Sequence, residues 1–195
     1  MPRLRRKIDE GHRWIRTKRF PARFSESGGC GARVLLGIGG NLGDVPRRFD
    51  ALLTVLRRMR DIKVLESSPI LKNPPFGYLD QPDFYNAVLL ICTRLEPLEL
   101  LYRMQRIERR FGRKRLFKDA PRTLDLDLIF YEKRRIERPG LKIPHPGWKV
   151  RDSVLLPMMK MKGVPWSKRH LKRPHPKRPS PWLGANTAVS AICDS

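Results

Sequence analysis

The sequence predicts an α+β domain with four strands and two helices in the order β-α-β-β-α-β. Short apolar runs suited to buried strands alternate with two segments whose apolar residues recur at helical spacing. Each of these segments has a proline at its first turn, a position that helices favour. The 195 residues, of which 40% are hydrophobic, are enough for one buried core.

The first strand, helix and second strand are predicted over residues 33–38, 46–59 and 62–67. The first run ends in glycines, and Asp44 is placed to cap the helix that follows. A helical stripe runs through this segment, formed by Phe49, Leu52, Leu53, Leu56 and Met59. A proline-rich loop is expected over residues 69–82.

The second half repeats the pattern with strands over residues 86–93 and 123–131. Between them, Pro97 opens a helix that Gly112 is placed to end. The apolar stripe of this helix consists of Leu100, Leu101, Met104, Ile107 and Phe111. The element order is that of a ferredoxin-like α+β fold, an antiparallel sheet with its helices packed on it.

The charge of +23 is concentrated at the ends of the chain. Residues 1–32 carry a net +6 and residues 160–195 a net +7, so 68 residues hold more than half of the excess. We therefore expect a basic arm and linker over 1–32, a folded domain over 33–163 and a basic, proline-rich, disordered tail over 164–195. The tails leave contact with nucleic acid or an anionic surface open.

Several classes of protein are excluded by simple features. No apolar run approaches the roughly 20 residues of a membrane span, and no secretory signal is visible. Cysteines 30, 92 and 193 lack metal-site spacing and predict neither a zinc site nor a disulfide framework. A cytoplasmic monomer is expected, although the Arg-rich N-terminus is also typical of an organelle transit peptide.

The glycine-rich stretch over residues 37–44 matches no nucleotide motif. A dinucleotide fingerprint starting at Gly37 needs glycine where Leu42 stands, and no Walker A sequence occurs. We interpret these glycines as a tight strand-to-helix turn, which needs a permissive backbone.

Asp125 and Asp127 are the most informative pair. Alternate residues of a strand share a face, so the two carboxylates project together from Cα atoms about 6.7 Å apart. Carboxylate oxygens beside phosphate oxygens are ligands that Mg²⁺ prefers. The alternative is a water-facing pair that forms salt bridges with neighbouring arginines.

Two further groups surround this pair in the sequence. One is cationic and suits phosphate: Arg113, Arg115, Arg122, His145 and Arg151. The other combines amides and rings that could bind a flat heterocycle: Asn73, Phe76, Phe84 and Asn86. Together they predict a magnesium-dependent enzyme that handles phosphate.

Five segments, in the same order along the chain, resemble the 6-hydroxymethyl-7,8-dihydropterin pyrophosphokinase family. They are GGNLGD (39–44), GYLDQPDFYNAV (77–88), QRIERRFGRKR (105–115), APRTLDLDLIFY (120–131) and IPHP (143–146). The resemblance implies a ferredoxin-like fold. It also implies transfer of diphosphate from ATP to 6-hydroxymethyl-7,8-dihydropterin with release of AMP, in folate biosynthesis.

The resemblance also implies roles for individual residues. Asp125 and Asp127 would hold two Mg²⁺ ions, and Arg113, Arg122 and Asp127 would be catalytic. ATP would be bound by Gln105, Glu108, Arg115, Leu128, His145 and Arg151. The pterin would be bound by Asn73, Pro74, Phe76, Phe84 and Asn86.

Two parts of the sequence depart from the family pattern. Asp119 and Ala120 stand where a Trp-Gly commonly precedes the Pro-Arg-Thr sequence, and Ser153 replaces a second aromatic residue that sandwiches the pterin. Phe84 is then the expected stacking ring, with Trp148 as the residue that could move in. The alternative to the enzyme is a basic nucleic-acid-binding protein on a ferredoxin-like fold, although its characteristic aromatic strand is absent.

Overall fold

A computed structural model of the chain describes residues 3–8, 11–24, 31–75, 77–114, 117 and 120–165. These residues form three helices and ten strands, eight of them in one antiparallel sheet. The helices are α1 (Val45–Arg57), α2 (Pro97–Arg110) and α3 (Asp152–Met159). The strands are β1 (Arg3–Lys7), β2 (Arg13–Arg16), β3 (Ala22–Arg23), β4 (Ala32–Gly40), β5 (Ile62–Ser67), β6 (Ile70–Asn73), β7 (Phe84–Thr93), β8 (Asp125–Tyr131), β9 (Ile136–Arg138) and β10 (Leu141–Ile143).

The centre of the sheet is β7, which pairs with β4 on one side and with both β5 and β6 on the other. Strand β8 pairs with the far side of β4. The N-terminal strands extend the opposite edge, where β2 pairs with β6, β1 with β2, and β3 with β5. The two short strands β9 and β10 form a separate hairpin.

The two faces of the sheet carry different helices. Helices α1 and α2 cover one face, over a core that includes Val34, Leu36 and Ile38 of β4. Helix α3 packs on the other face, against a second core that includes Leu35 and Val88. Because side chains alternate along a strand, even-numbered residues of β4 face α1 and α2 and odd-numbered residues face α3.

Helices α1 and α2 begin and end as their sequences predict. The Asp44 carboxylate accepts a hydrogen bond from the Arg47 backbone N–H at 3.1 Å, which caps α1. Helix α2 begins at Pro97 and is followed by Gly112 at φ +79°, the left-handed position that commonly ends a helix. Among the described residues, no helix is long and apolar enough to cross a membrane.

The N-terminal segment differs from the expected arm. Residues 3–24 contribute three strands to the sheet, and Ile15 and Phe20 lie in the same core as α1 and α2. The Phe20 ring is fully buried, with its centroid 5.9 Å from that of Phe49. The linker residues 25–30 lie outside the described residues, as do residues 166–195 of the tail expected over 164–195. Val164, at the start of that expected tail, is instead 4% exposed and packs in the second core.

Two smaller expectations also need correction. The proline-rich segment over residues 69–82 contains strand β6, so it is not a loop throughout. Cys92 is buried in β7 and is disulfide-bonded, contrary to the expectation drawn from cysteine spacing. The other two cysteines lie outside the described part of the chain.

We predict that Phe20→Ala lowers the free energy of unfolding by about 3–5 kcal/mol, because it removes a fully buried ring from the main core. Ile8→Ala is the matched control in the same N-terminal segment, since Ile8 is 42% exposed and should change stability by less than about 0.5 kcal/mol. Urea denaturation measures both, and equal effects would contradict the packing of this segment.

Candidate active site

The candidate site lies on the face of the sheet that carries α3. Asp125 and Asp127 are the first and third residues of β8, and both project to this face. Leu126 and Leu128 alternate with them and pack in the core under α1 and α2. The side chain of Leu128 therefore points away from the two carboxylates, and only its backbone is left to contact a nucleotide on this face.

Glycines of β4 form the floor of the site. Gly39 lies opposite Asp125 on one side and opposite Asn86 on the other, and Gly37 lies opposite Asp127 in the same way. A Cβ atom at Gly39 would lie 2.8 Å from the Asn86 Oδ1 atom. These glycines belong to the strand rather than to the expected turn, and their lack of side chains leaves room between β7 and β8.

Asp125 is held by two arginines. Its Oδ1 atom lies 2.5 Å from Arg113 Nη1, and its Oδ2 atom lies 3.1 Å from Arg122 Nε. Arg113 also pairs with Glu108 of α2. The arginines that form salt bridges with Asp125 are therefore two of those expected to bind phosphate. Both expectations meet in one network at the start of β8.

Glu108 is the anchor of this network. Its carboxylate is 3% exposed and accepts a 2.7 Å hydrogen bond from the Leu126 backbone N–H. Burial raises the pKa of Glu108, and the charge of Arg113 opposes that rise. Glu108 therefore positions Arg113 and β8 in this structure, whereas Gln105, on the same helix, is half-buried.

Asp127 has a different electrostatic environment from Asp125. Burial, followed by the negative charge of Asp125, raises the pKa of Asp127 to about 7, and the charge of Arg151 opposes the rise. A carboxylate in such a position is costly to ionise unless a cation approaches it. Asp127 is therefore suited to a site whose occupant brings positive charge.

A cavity of about 580 Å³ opens beside Asp127, between β8 and the β9–β10 hairpin. His145 lines it, and burial and the charge of Arg151 lower the pKa of this imidazole. His145 Nδ1 accepts a 3.2 Å hydrogen bond from the Gly147 backbone N–H. The neutral ring then carries its proton on Nε2, where it can donate to a phosphate oxygen.

The two carboxylates fit a hard divalent cation. Among the described residues, no cluster of three or more His, Cys, Asp or Glu side chains is arranged to hold a metal ion. Asp125 and Asp127 can supply two oxygen ligands from one face of β8, and the remainder would come from water and a bound phosphate. This is the donor set that Mg²⁺ commonly takes in nucleotide sites.

Amide and aromatic side chains lie on the other side of the glycine floor. Asn86 Nδ2 donates to Asn73 Oδ1 at 2.8 Å, so the two amides form a pair on β7 and β6. The Phe84 ring is 7% exposed, and the Arg122 guanidinium lies 5.0 Å from its centroid. Pro74 is exposed, and its carbonyl accepts a hydrogen bond from Asn73 Nδ2.

The remaining expected residues are placed as follows. Trp148 packs edge-on against Phe130, with ring centroids 4.8 Å apart, in the core beneath α3. Ser153 lies in the first turn of α3. Phe76, Arg115 and Asp119 lie outside the described residues.

Asn41 is a site residue to which the sequence analysis assigned no role. Its side chain donates to Gln81 Oε1 at 2.8 Å and to the Pro82 carbonyl at 3.1 Å, and it accepts from the Arg122 backbone N–H at 2.8 Å. It joins the loop before β7 to the loop before β8. The available signal was its place in GGNLGD, next to the glycines.

The same two loops also meet at their outer ends. The rings of Tyr78 and Phe117 contact each other edge to face, with centroids 5.6 Å apart, although both side chains are largely exposed. The inner amide contacts and this outer ring contact bring the two loops together over the site.

We predict that Asp127→Asn stabilises the protein in buffer free of divalent cations. The pKa of Asp127 is about 7 in the folded protein against 3.8 in an unfolded chain, so ionisation destabilises the fold increasingly as pH rises from about 4 to 7. The gain should be absent near pH 4 and reach about 2–4 kcal/mol above pH 7.

Asp125→Asn is the matched control, because it removes two ion pairs and should destabilise the protein at neutral pH. Thermal unfolding from pH 4 to 8 measures both variants. A gain for Asp127→Asn that is the same at every pH would contradict the prediction.

We predict that Asn41→Ala lowers the free energy of unfolding by about 1–3 kcal/mol, because it leaves polar groups of two loops without their buried partner. Leu42→Ala, at an exposed neighbouring position, serves as control. Hydrogen exchange at the Arg122 amide should also accelerate in Asn41→Ala. An unchanged rate would contradict the conclusion that Asn41 holds the two loops together.

Comparison with known proteins gives one consistent result. Residues 35–163 match the model of the family described as 7,8-dihydro-6-hydroxymethylpterin-pyrophosphokinase. Two bacterial proteins named 2-amino-4-hydroxy-6-hydroxymethyldihydropteridine pyrophosphokinase are similar to the chain. The Helicobacter pylori protein is 43% identical over 75% of the chain and 91% of its own length, and the Campylobacter jejuni protein is 44% identical over 64% and 80%.

A longer relative, the folic acid synthesis protein fol1 of Pneumocystis carinii, is 38% identical over 67% of the chain but only 17% of its own length. None of these relatives supports the nucleic-acid-binding alternative. The family match runs from residue 35, within β4, to four residues past the end of α3, and it includes both aspartates, the glycine floor and the Asn86 amide. The resemblance noted in the sequence is thereby confirmed, and the chain belongs to the 7,8-dihydro-6-hydroxymethylpterin pyrophosphokinase family.

Proposed function

We propose that the protein transfers the β,γ-diphosphate of ATP to the hydroxymethyl group of 6-hydroxymethyl-7,8-dihydropterin and releases AMP, in folate biosynthesis. One observation carries the proposal beyond family membership. Asp125 and Asn86 flank the same glycine, Gly39, in adjacent positions across the sheet. At about 4.8 Å per strand, a metal-binding carboxylate and a ring-binding amide are held about 10 Å apart on one face.

The phosphate side of the site would be formed by β8 and its neighbours. When bound, two Mg²⁺ ions would neutralise the triphosphate charge, with Asp125 and Asp127 as their protein ligands. Arg113 and Arg122 neutralise Asp125 in the structure described above. A cation that takes over Asp125 frees both guanidinium groups to bind phosphate oxygens.

His145, Arg151 and the cavity next to Asp127 would bind the rest of the nucleotide. The neutral His145 ring is a hydrogen-bond donor at Nε2, and Arg151 adds positive charge nearby. Gln105 would line the ATP side from α2, and Arg115 and the backbone of Leu128 complete the proposed ATP site. Glu108 acts through Arg113, because its carboxylate is buried and bonded to β8.

The pterin would lie over the other half of the floor. Asn86 and Asn73 offer paired amide groups to the hydrogen-bonding edge of the ring, and Phe84 offers a stacking surface. Pro74 and Phe76 belong to the loop next to this pocket. The Arg122 guanidinium now covers the Phe84 ring, so it must move for a pterin to stack there.

The reaction is a displacement at the β-phosphorus of ATP. The substrate hydroxyl oxygen forms a bond to that phosphorus, the bond to the α-phosphate oxygen breaks, AMP leaves and the hydroxyl proton is released. The protein would contribute mainly by positioning both substrates and by stabilising charge with Arg113 and Arg122. We assign no dedicated general base.

The fold, location, oligomeric state and basic tail are also part of this proposal. The order β5-β7-β4-β8, with α1 and α2 on one face, supports the ferredoxin-like arrangement expected from the sequence. We place the enzyme in the cytoplasm, and we propose that it acts as a monomer. From the charge of the sequence beyond the family segment, we propose that this part of the chain contacts anionic surfaces.

We predict that the full chain produces AMP from ATP only when Mg²⁺ and hydroxymethyldihydropterin are both present. Asp127→Asn should lower kcat by about 10³-fold, because it removes a charged ligand at the reacting phosphates. Asn86→Ala should instead raise the KM for the pterin by about 10-fold and leave the KM for ATP within about 2-fold.

AMP detection by chromatography, with initial rates at varied concentrations of each substrate, measures these effects. Formation of ADP, or of AMP without the pterin, would overturn the proposed reaction. Equal effects of Asn86→Ala on both KM values would overturn the assignment of the pterin side.

A further inference from the structure

The N-terminal hairpin extends the same face of the sheet that carries the active site. Strand β2 pairs with β6 in a register that places Trp14 opposite Leu71, and Leu71 lies opposite Asn86. One row across the sheet therefore runs from Trp14 through Leu71, Asn86 and Gly39 to Asp125. Side chains in one row share a face, so Trp14 projects on the side of Asn86.

His12 lies one row further along on this face. The register of Arg13 with Lys72 places His12 next to Asn73, and Asn73 lies opposite Phe84 on β7. His12 is 9% exposed, and its backbone carbonyl accepts a hydrogen bond from the Ile8 N–H at 2.9 Å. The buried His12 imidazole thus lies in the same row across the sheet as Asn73 and Phe84, two residues assigned above to the pterin.

The hairpin also determines whether β6 is an edge strand or an internal strand of the sheet. This strand has four residues, of which Leu71, Lys72 and Asn73 pair with β7. Without β2 it would be a short edge strand ending at Asn73, and such strands are held weakly. Pairing of β2 along its outer side makes β6 an internal strand and fixes the backbone that carries Asn73.

The hairpin lies outside the segment that matches the family, which begins at residue 35. We propose that strand β2 is part of the pterin site, with His12 and Trp14 as positioning residues that hold Asn73 and Leu71 in place for the ring. This rests on the assignment of Asn73 and Asn86 to the pterin in the proposed function. The N-terminal hairpin is then a determinant of pterin affinity that the family segment does not contain.

The test compares substitutions on the two faces of the segment formed by residues 12–15, which includes β2 and the residue before it. His12→Ala and Trp14→Ala should each raise the KM for hydroxymethyldihydropterin by about 5–20-fold, with the KM for ATP and kcat changed by less than about 3-fold. Arg13→Ala is the control, because Arg13 is exposed and projects to the opposite face. It should leave all three values within about 2-fold.

Two further variants separate positioning from a general loss of stability. Ile15→Ala removes a buried side chain of the same strand from the opposite face, so it should lower Tm without a selective rise in the pterin KM. Trp14→Phe should restore most of the pterin affinity lost in Trp14→Ala. If the alanine variant does not fold, the pterin KM of Trp14→Phe is measured in its place. A selective rise for Ile15→Ala, or full pterin affinity in both alanine variants, would overturn the inference.

Asn73→Ala and Asn86→Ala test the proposed pterin site separately from the proposed role of the N-terminal hairpin. If both leave the pterin KM unchanged, the assigned pterin side is wrong and the inference is overturned with it. If both raise the pterin KM while His12→Ala and Trp14→Ala match Arg13→Ala, only the inference is overturned. A selective rise in all four variants supports both.

Discussion

The pairing of Asp125 with two arginines, one of them anchored on buried Glu108, is the interaction on which the site depends. It joins the end of α2, the start of β8 and the loop before β8. Charges this poorly exposed are stable only as a network, because each would be costly to bury alone. The same network holds two guanidinium groups beside the Asp125 carboxylate.

Asp125 and Asp127 are two residues apart on one strand, yet their surroundings differ. Asp125 has direct arginine partners, whereas burial and the charge of Asp125 raise the pKa of Asp127. Burial makes ionisation of Asp127 unfavourable, and a bound cation would offset that cost, an arrangement common in active sites.

The central elements could be predicted because their signals are local. Helical spacing and the positions of Pro97 and Gly112 are properties of neighbouring residues, and the alternation of TLDLDLIFY placed both aspartates on one face. The amide pair of Asn73 and Asn86 was grouped by chemistry alone, and the structure brings these two side chains into contact.

The elements that were not predicted depend on distant partners. Strand β2 has the sequence RWIR, which shows no pattern beyond basic charge until β6 is placed beside it. Helix α3 contains Pro157, which weakens any helical signal, and it is held by burial of Val154, Leu155 and Met158 on the sheet. The only local signal for Asn41 was its place beside the glycines of GGNLGD, because its hydrogen-bond partners lie 40, 41 and 81 residues further along the chain.

The distribution of charge has a different meaning once the N-terminal strands are placed. The net +6 of residues 1–32 suggested a solvated arm, but Arg13 and Arg16 are exposed residues of a strand whose buried Ile15 packs in the core. Strand β1, with the sequence RLRRK, forms the edge of the sheet beside β2, and edge strands commonly carry charged residues, which discourage pairing with other chains. Basic charge in this segment is therefore compatible with a folded part of the sheet. Composition alone could not distinguish such a segment from a solvated tail. The register of the strands does distinguish the two, because pairing with β6 places every second residue of β2 on the face of the sheet that carries the candidate site.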